Sequence, residues 1–191
     1  MRKALLAGLL LVSTLAFGQG AWIHAKALLA QYLIEDAWAR RLNGEKQPKP
    51  WSWADTWPVA RLEAPALGIR QYVLAGATGR TLAFGPGQVP GSAIPGYEGN
   101  SVISGHRDTH FRWLRGLKKG DELRLQRPDG RLRRYRVQGT AVVDEKDTRI
   151  LRQDGRTVLH LVTCYPFDAL VPGGPLRYVV TAAPVAGEQV F

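Results

Sequence analysis

The chain reads as a mostly β protein, a closed barrel or sandwich of short strands behind an N-terminal helix, and three observations in its 191 residues predict this. From Pro58 onward, short apolar runs are punctuated by Gly, Pro and Asp-Gly at fairly regular spacing, the pattern of strands joined by tight turns. The runs 123–126 and 132–135 flank Pro128-Asp129-Gly130, a hairpin signal because glycine accepts the positive φ that such turns need. Before Pro58 the spacing is helical: Ala27, Ala30, Gln31, Ile34, Ala37, Trp38 and Leu42 recur every three or four residues and mark one apolar stripe.

Arg2 and Lys3 precede an apolar run, 4–23, whose one strongly polar residue is Gln19. At about 1.5 Å per helical residue such a run is long enough to cross a hydrocarbon core of about 30 Å. Residues 1–23 are therefore expected to be a signal-anchor, or a signal peptide if the small-x-small stretch Ala16-Phe17-Gly18 is cleaved. Trp22 suits a membrane interface, and the rest of the chain would then lie outside the cytoplasmic membrane. Residues 24–58 hold the amphipathic helix, ended by Asn43-Gly44, and a Pro/Trp-rich spacer whose Trp51, Trp53 and Trp57 either pack on the domain or touch the membrane.

Residues 59–183 form the β domain, with strands expected at 59–62, 70–74, 101–104, 122–126, 132–143, 158–163 and 177–182, a short helix at 111–117 and a turn at 77–83. Residues 184–191 are a tail. No internal repeat is present. Lys and Arg outnumber Asp and Glu by 26 to 16, and the stretch 112–136 alone holds ten basic and three acidic residues. For an exported chain the available polyanions are lipid headgroups and envelope polysaccharides, so this charge reads as a solvated or membrane-facing surface and no nucleic-acid partner is expected.

Cys164 is the one cysteine. Exported domains use cysteines in pairs, so it is either a small buried hydrophobe or a reactive thiol. It ends the β-prone run Leu159-His160-Leu161-Val162-Thr163 and is followed by Tyr165-Pro166, and a side chain at a rigid strand end is both held and accessible. A thiol becomes a thiolate near neutral pH with help from a base or a positive charge.

Of the four histidines, His24 sits at the membrane boundary, and His160, four residues back on an extended strand, is about 13 Å from the thiol. His106 and His110 remain, in Ser104-Gly105-His106-Arg107-Asp108-Thr109-His110. As a metal pair they lack a third ligand, and no metal is expected. His106 follows the run 102–104 through a glycine and so repeats the strand-end placement of Cys164; on the residues alone a structural histidine stays equally open. Arg177 opens the run 178–180 after a Gly/Pro-rich loop, thirteen residues beyond Cys164. Its guanidinium is either a solvated surface charge or a stabiliser of a thiolate or oxyanion. Asp144, Glu145 and Asp147 form a solvated acidic turn or a calcium site.

Together these motifs resemble the sortases, whose signature is a Thr-Leu-x-Thr-Cys strand, an arginine about a dozen residues later and an upstream Gly-His. Here the strand reads His160-Leu161-Val162-Thr163-Cys164, with His160 in place of the first threonine. The likeness extends over about 59–182 and looks like the variety found in Gram-negative bacteria. It implies an eight-stranded β-barrel and a two-step reaction on a Leu-Pro-x-Thr-Gly-like sorting signal near the C-terminus of another exported protein. Cys164 would attack the carbonyl after the threonine-like residue, and His106 would protonate the departing amine. An amine acceptor in the envelope would then resolve the thioacyl intermediate, with Arg177 holding the oxyanion and Thr163 lining the substrate pocket. No cofactor is implied, and the resemblance points to a monomer held in the inner membrane with its domain facing the periplasm. The rivals are a hydrolytic cysteine peptidase with the same three residues and a non-enzymatic module that docks acidic envelope surfaces through 112–136.

Overall fold

A computed structural model describes residues 2–169, 171 and 173–185, with the side chains of its first helix described at 13, 14, 18–20, 22 and from 24 onward. That helix, α1, runs unbroken through Arg2–Leu42. Among the described residues no helix is long and apolar enough to cross a membrane; most side chains of the 4–23 run, the expected anchor, lie outside the described residues.

The C-terminal half of α1 is docked on the domain. Its stripe turns Ala30, Ile34, Ala37 and Trp38 into buried positions while Ala27 and Leu42 stay exposed. Trp38 lies 6.2 Å from the Tyr72 ring, the Tyr72 hydroxyl donates to Glu35 (3.2 Å), and Gln31 Nε2 donates to Phe84 O (2.8 Å). Full burial of one large apolar side chain is worth about 1.5–3 kcal/mol, so this contact is firm. The spacer joins it: Trp51 packs edge-on against Phe84 at 4.8 Å, Trp57 packs on the barrel core, and Trp53 is left 83% exposed.

The barrel strands are β1 (Pro58–Ala64), β2 (Ile69–Ala75), β3 (Gly87–Gln88), β4 (Asn100–Ser104), β5 (Glu122–Gln126), β6 (Leu132–Asp144), β7 (Val158–Cys164) and β8 (Leu176–Pro184), with a one-turn helix α2 (Gly79–Leu82) between β2 and β3. They close in the order β1-β2-β3-β4-β7-β8-β6-β5. The pairs β2–β3 and β4–β7 are parallel and the others antiparallel. Seven strands fall where the sequence places them; β3 is added. It is two residues long because the backbone there runs so close to Gly76 that a Cβ on Gly87 would lie 2.1 Å from the Gly76 carbonyl oxygen. The expected helix at 111–117 is a 3-10 turn, Arg112–Gly116, that delivers Phe111 and Leu114 to the core.

Period-2 alternation fills the barrel. Leu62, Val73, Ile103, Leu123, Leu125, Tyr135, Leu159, Leu161 and Val180 point inward, and a smaller cluster of Val102, Val162 and Val179 forms on the outside. The basic stretch makes the β5–β6 hairpin and is largely paired: Arg127 with Asp129 and over the Tyr97 ring, and Arg133 with Glu98.

Candidate active site

The parallel β4–β7 pair places the two strand ends side by side. Val102 pairs with His160 and Ser104 with Val162; His106 and Cys164 each lie two residues beyond that last pair. Gly105 holds this junction, its N–H donating to Val162 O (3.1 Å) and its carbonyl accepting from Thr163 Oγ1 (2.7 Å). On the other side of β7, antiparallel β8 sets Thr181 opposite His160, Val179 opposite Val162 and Arg177 opposite Cys164. Because Leu159 and Leu161 are on the inward phase, alternation puts His160, Val162 and Cys164 on the outer face. Val102 and Ser104 share that face on β4, which ends two residues before His106. That outer surface carries Cys164, half-buried, with Arg177 paired opposite it, while exposed His106 follows the end of β4.

Near these strand ends lies a mainly apolar cleft of about 120 Å³, walled by Val89, Val102, Ile150, Leu151 and Val162 and bordered by Asp144, Glu145, Asp147 and Arg177. Thr163 is not among its walls. Being on the inward phase, it is 2% exposed and ties β7 to Gly105, while Val162 supplies the wall.

Arg177 is already engaged. Its guanidinium donates to Gly174 O (2.7 Å) and Leu176 O (3.0 Å) and pairs with the Glu145 carboxylate. The other two acids of that turn are also occupied: Asp144 accepts from Lys146 N (2.9 Å), and Asp147 caps Arg149, whose guanidinium holds the Asp147 carboxyl down at about 2. Among the described residues no group of three or more His, Cys, Asp and Glu is placed to hold a metal ion.

The remaining histidines are accounted for structurally. His160 Nδ1 is 3.1 Å from Thr181 Oγ1, and burial, with Arg156 nearby, pushes its pKa below the usual histidine value. His110 is likewise pushed down by burial, against a bond to the Ala83 backbone. After Cys164, Tyr165, Phe167 and Tyr178 stack into one aromatic cluster with centroids 5.0–6.2 Å apart, which fixes the start of the β7–β8 loop.

The sequence reading passed over Arg107. It follows His106 in the turn after β4 and is only 4% exposed, an unusual place for a charge. Strand alternation does not reach into that turn, so no periodicity marks it.

Comparison with known proteins agrees with this geometry. A family model described as the sortase domain matches residues 62–185. Sortase D of Bacillus subtilis (strain 168) is 38% identical over 120 residues, which cover 62% of this chain and 60% of that protein. The chain thus spans less than two thirds of that relative's length. Among solved structures, a Clostridium perfringens sortase D5 transpeptidase superposes with a TM-score of 0.61 at 25% identity, covering 80% of this chain and 89% of that one. Sortase C-1 from Actinomyces oris does so with 0.60 at 28% identity, covering 80% and 97%.

Proposed function

The chain belongs to the sortase family, and from that premise we propose that it is a membrane-anchored cysteine transpeptidase acting on a sorting motif of exported proteins. What supports the proposal is the pairing of Cys164, at the end of β7, with Arg177 on β8, together with His106 following the end of the neighbouring β4 and a mainly apolar cleft bordered by Arg177.

The chemistry follows from that arrangement. The Cys164 thiolate attacks the scissile carbonyl, and the resulting oxyanion is stabilised by Arg177, which exchanges its contact with Glu145 for the developing charge. Collapse of the tetrahedral intermediate breaks the C–N bond, and His106 gives the departing amine its proton. An incoming amine attacks the thioester, His106 takes its proton, and the thiolate is released with a new amide bond formed. The apolar cleft suits the aliphatic side chain and proline of a Leu-Pro-x-Thr-Gly-like segment.

The anchor belongs to the same reading. α1 continues without a break into the 4–23 run, and its exposed Trp22, Leu28, Leu29 and Tyr32, with Trp53 of the spacer, present apolar and aromatic surface toward that end. The catalytic domain would then stand on the periplasmic side of the inner membrane, a monomer meeting exported substrates and an envelope amine.

The test is an incubation of the membrane-reconstituted full chain with a Leu-Pro-x-Thr-Gly peptide and a panel of amines, followed by mass spectrometry. Wild type should yield the amide of at least one amine, with hydroxylamine trapping the acyl group as a hydroxamate, and Cys164→Ala should yield neither. Hydrolysed peptide alone with every amine would make the protein a peptidase, and an unimpaired Cys164→Ala variant would remove the thiol from the mechanism.

A further inference from the structure

We infer that Arg107 is a positioning residue of the site, one buried guanidinium that holds the loop leaving Cys164 against the strand end that carries His106. Its Nη1 donates to Pro166 O (2.7 Å) and its Nη2 to Ala169 O (3.0 Å), carbonyls two and five residues past the thiol. Its Nε and Nη2 also grip the Asp108 carboxylate at 2.8 and 3.0 Å. Every nitrogen of the fork is therefore used, and His106 is the residue between this anchor and Gly105, which is itself bonded to Val162 and Thr163. Cys164 and His106 are thus each followed directly by chain that the same side chain ties down.

Burying a guanidinium is costly unless its donors are met by good acceptors. The burial falls at the junction of two catalytic strand ends and spends its bonds on backbone carbonyls, a use for which a planar fork is needed and an ammonium is a poor substitute. The same positive charge lies within electrostatic reach of Cys164 and of Asp168. Unlike Arg177, whose side chain is partly exposed, it is buried with every nitrogen of its fork bonded.

The inference rests on the Cys–His chemistry proposed above, and its test is chosen to stand apart from it. Arg107→Gln, Arg107→Lys and Asp108→Asn are made in the full chain. Three quantities are read: hydrogen exchange of the 165–169 segment against that of β6, the rate of Cys164 alkylation by iodoacetamide at pH 7, and kcat and KM for the sorting peptide. Loss of charge-assisted hydrogen bonds to two carbonyls should speed exchange in 165–169 by at least about tenfold in Arg107→Gln while β6 is unchanged. Displacement of the reacting groups by about 1 Å should lower kcat by about 100-fold, with KM nearly constant. Arg107→Lys keeps the charge but not the fork, so kcat should stay low, and both exchange in 165–169 and the Cys164 alkylation rate should depart from wild type as in Arg107→Gln.

Wild-type exchange in 165–169 together with kcat within threefold in Arg107→Gln would overturn the inference, as would full recovery of kcat by lysine. If Arg107→Gln does not fold, Arg107→Lys and Asp108→Asn decide on the same readings. If wild type transfers no peptide, the proposed function fails while exchange and alkylation still decide the place of Arg107.

Discussion

Gly105→Ala tests whether the strand end that presents His106 is set by core packing. A Cβ at position 105 would meet two Phe111 ring atoms at 2.8 Å and a third at 3.2 Å. Ordinary contact begins near 3.4 Å, so ring or backbone must yield by about 0.6 Å. Phe111 is fully buried and packs edge-on against Trp113 at 5.8 Å, and the Gly105 backbone is held on both sides by β7. Neither can move freely in a close-packed interior. Overpacking of this kind costs typically about 1–3 kcal/mol, and at about 2–4 °C per kcal/mol for a chain of this size a 2 kcal/mol loss lowers Tm by about 4–8 °C. Because the displaced backbone precedes His106, kcat/KM for peptide transfer should fall with it, by more than tenfold. Phe111→Leu makes room for the methyl, so the double variant should lose less stability than the two single losses added together. Thermal melts, urea unfolding and single-substrate kinetics on the four proteins measure this. Strict additivity, or a Gly105→Ala protein with wild-type Tm and activity, would refute the reasoning.

Two other substitutions probe the scaffold. Gly87→Ala would set a Cβ 2.1 Å from the Gly76 carbonyl oxygen, a clash with backbone and not with a flexible side chain, so it should destabilise by more than Gly105→Ala and open the β2–β3–β4 seam, measured as lost exchange protection at Leu74 and Val89. His160→Gln should flatten the acid side of the stability curve. Burial holds the folded His160 pKa below 6.5, so between 6.5 and that lower value the unfolded chain binds more protons and stability falls as pH drops. His110 acts in the same direction, so the variant should lose part of the difference between urea midpoints at pH 7.5 and 5.0; an unchanged difference would contradict the assignment.

The barrel was legible wherever one face of a strand is buried, since alternation and turn residues record that directly. β3 left no such record. Two residues, one of them the glycine that permits close approach to Gly76, carry no periodicity. The docking of α1 was half legible: the stripe gave the buried face, but its partners Tyr72 and Phe84 lie more than thirty residues away, and nothing local to residues 24–58 names them. In the site, Cys164, His106 and Arg177 were named from motif order; the β7–β8 register sets Arg177 opposite Cys164, and His106 lies two residues past the end of β4. Thr163 was assigned to the pocket although the inward phase of Leu159 and Leu161 already turns it into the barrel. Arg107 went unread because it lies in the turn after β4, where no alternation marks burial, close to a stretch with ten other basic residues at 112–136.

In the proposed mechanism the two arginines would divide the work by how deeply each is buried. Arg177 also bonds two carbonyls, of Gly174 and Leu176, but it is partly exposed and its contact with Glu145 is a near-surface ion pair, of a kind worth about 0–1 kcal/mol. An oxyanion forming next to it can therefore take the guanidinium at little cost. Arg107 is buried with its fork filled by two carbonyls and a carboxylate, and removing a carbonyl partner would leave a buried guanidinium nitrogen without its acceptor. A group that must respond to charge as it develops has to be loosely paired, and a group that must keep nucleophile and base in register has to be tightly paired. The proposed mechanism needs one of each, and an exchange of their roles would leave Cys164 either without a stabilised intermediate or without a fixed partner in His106.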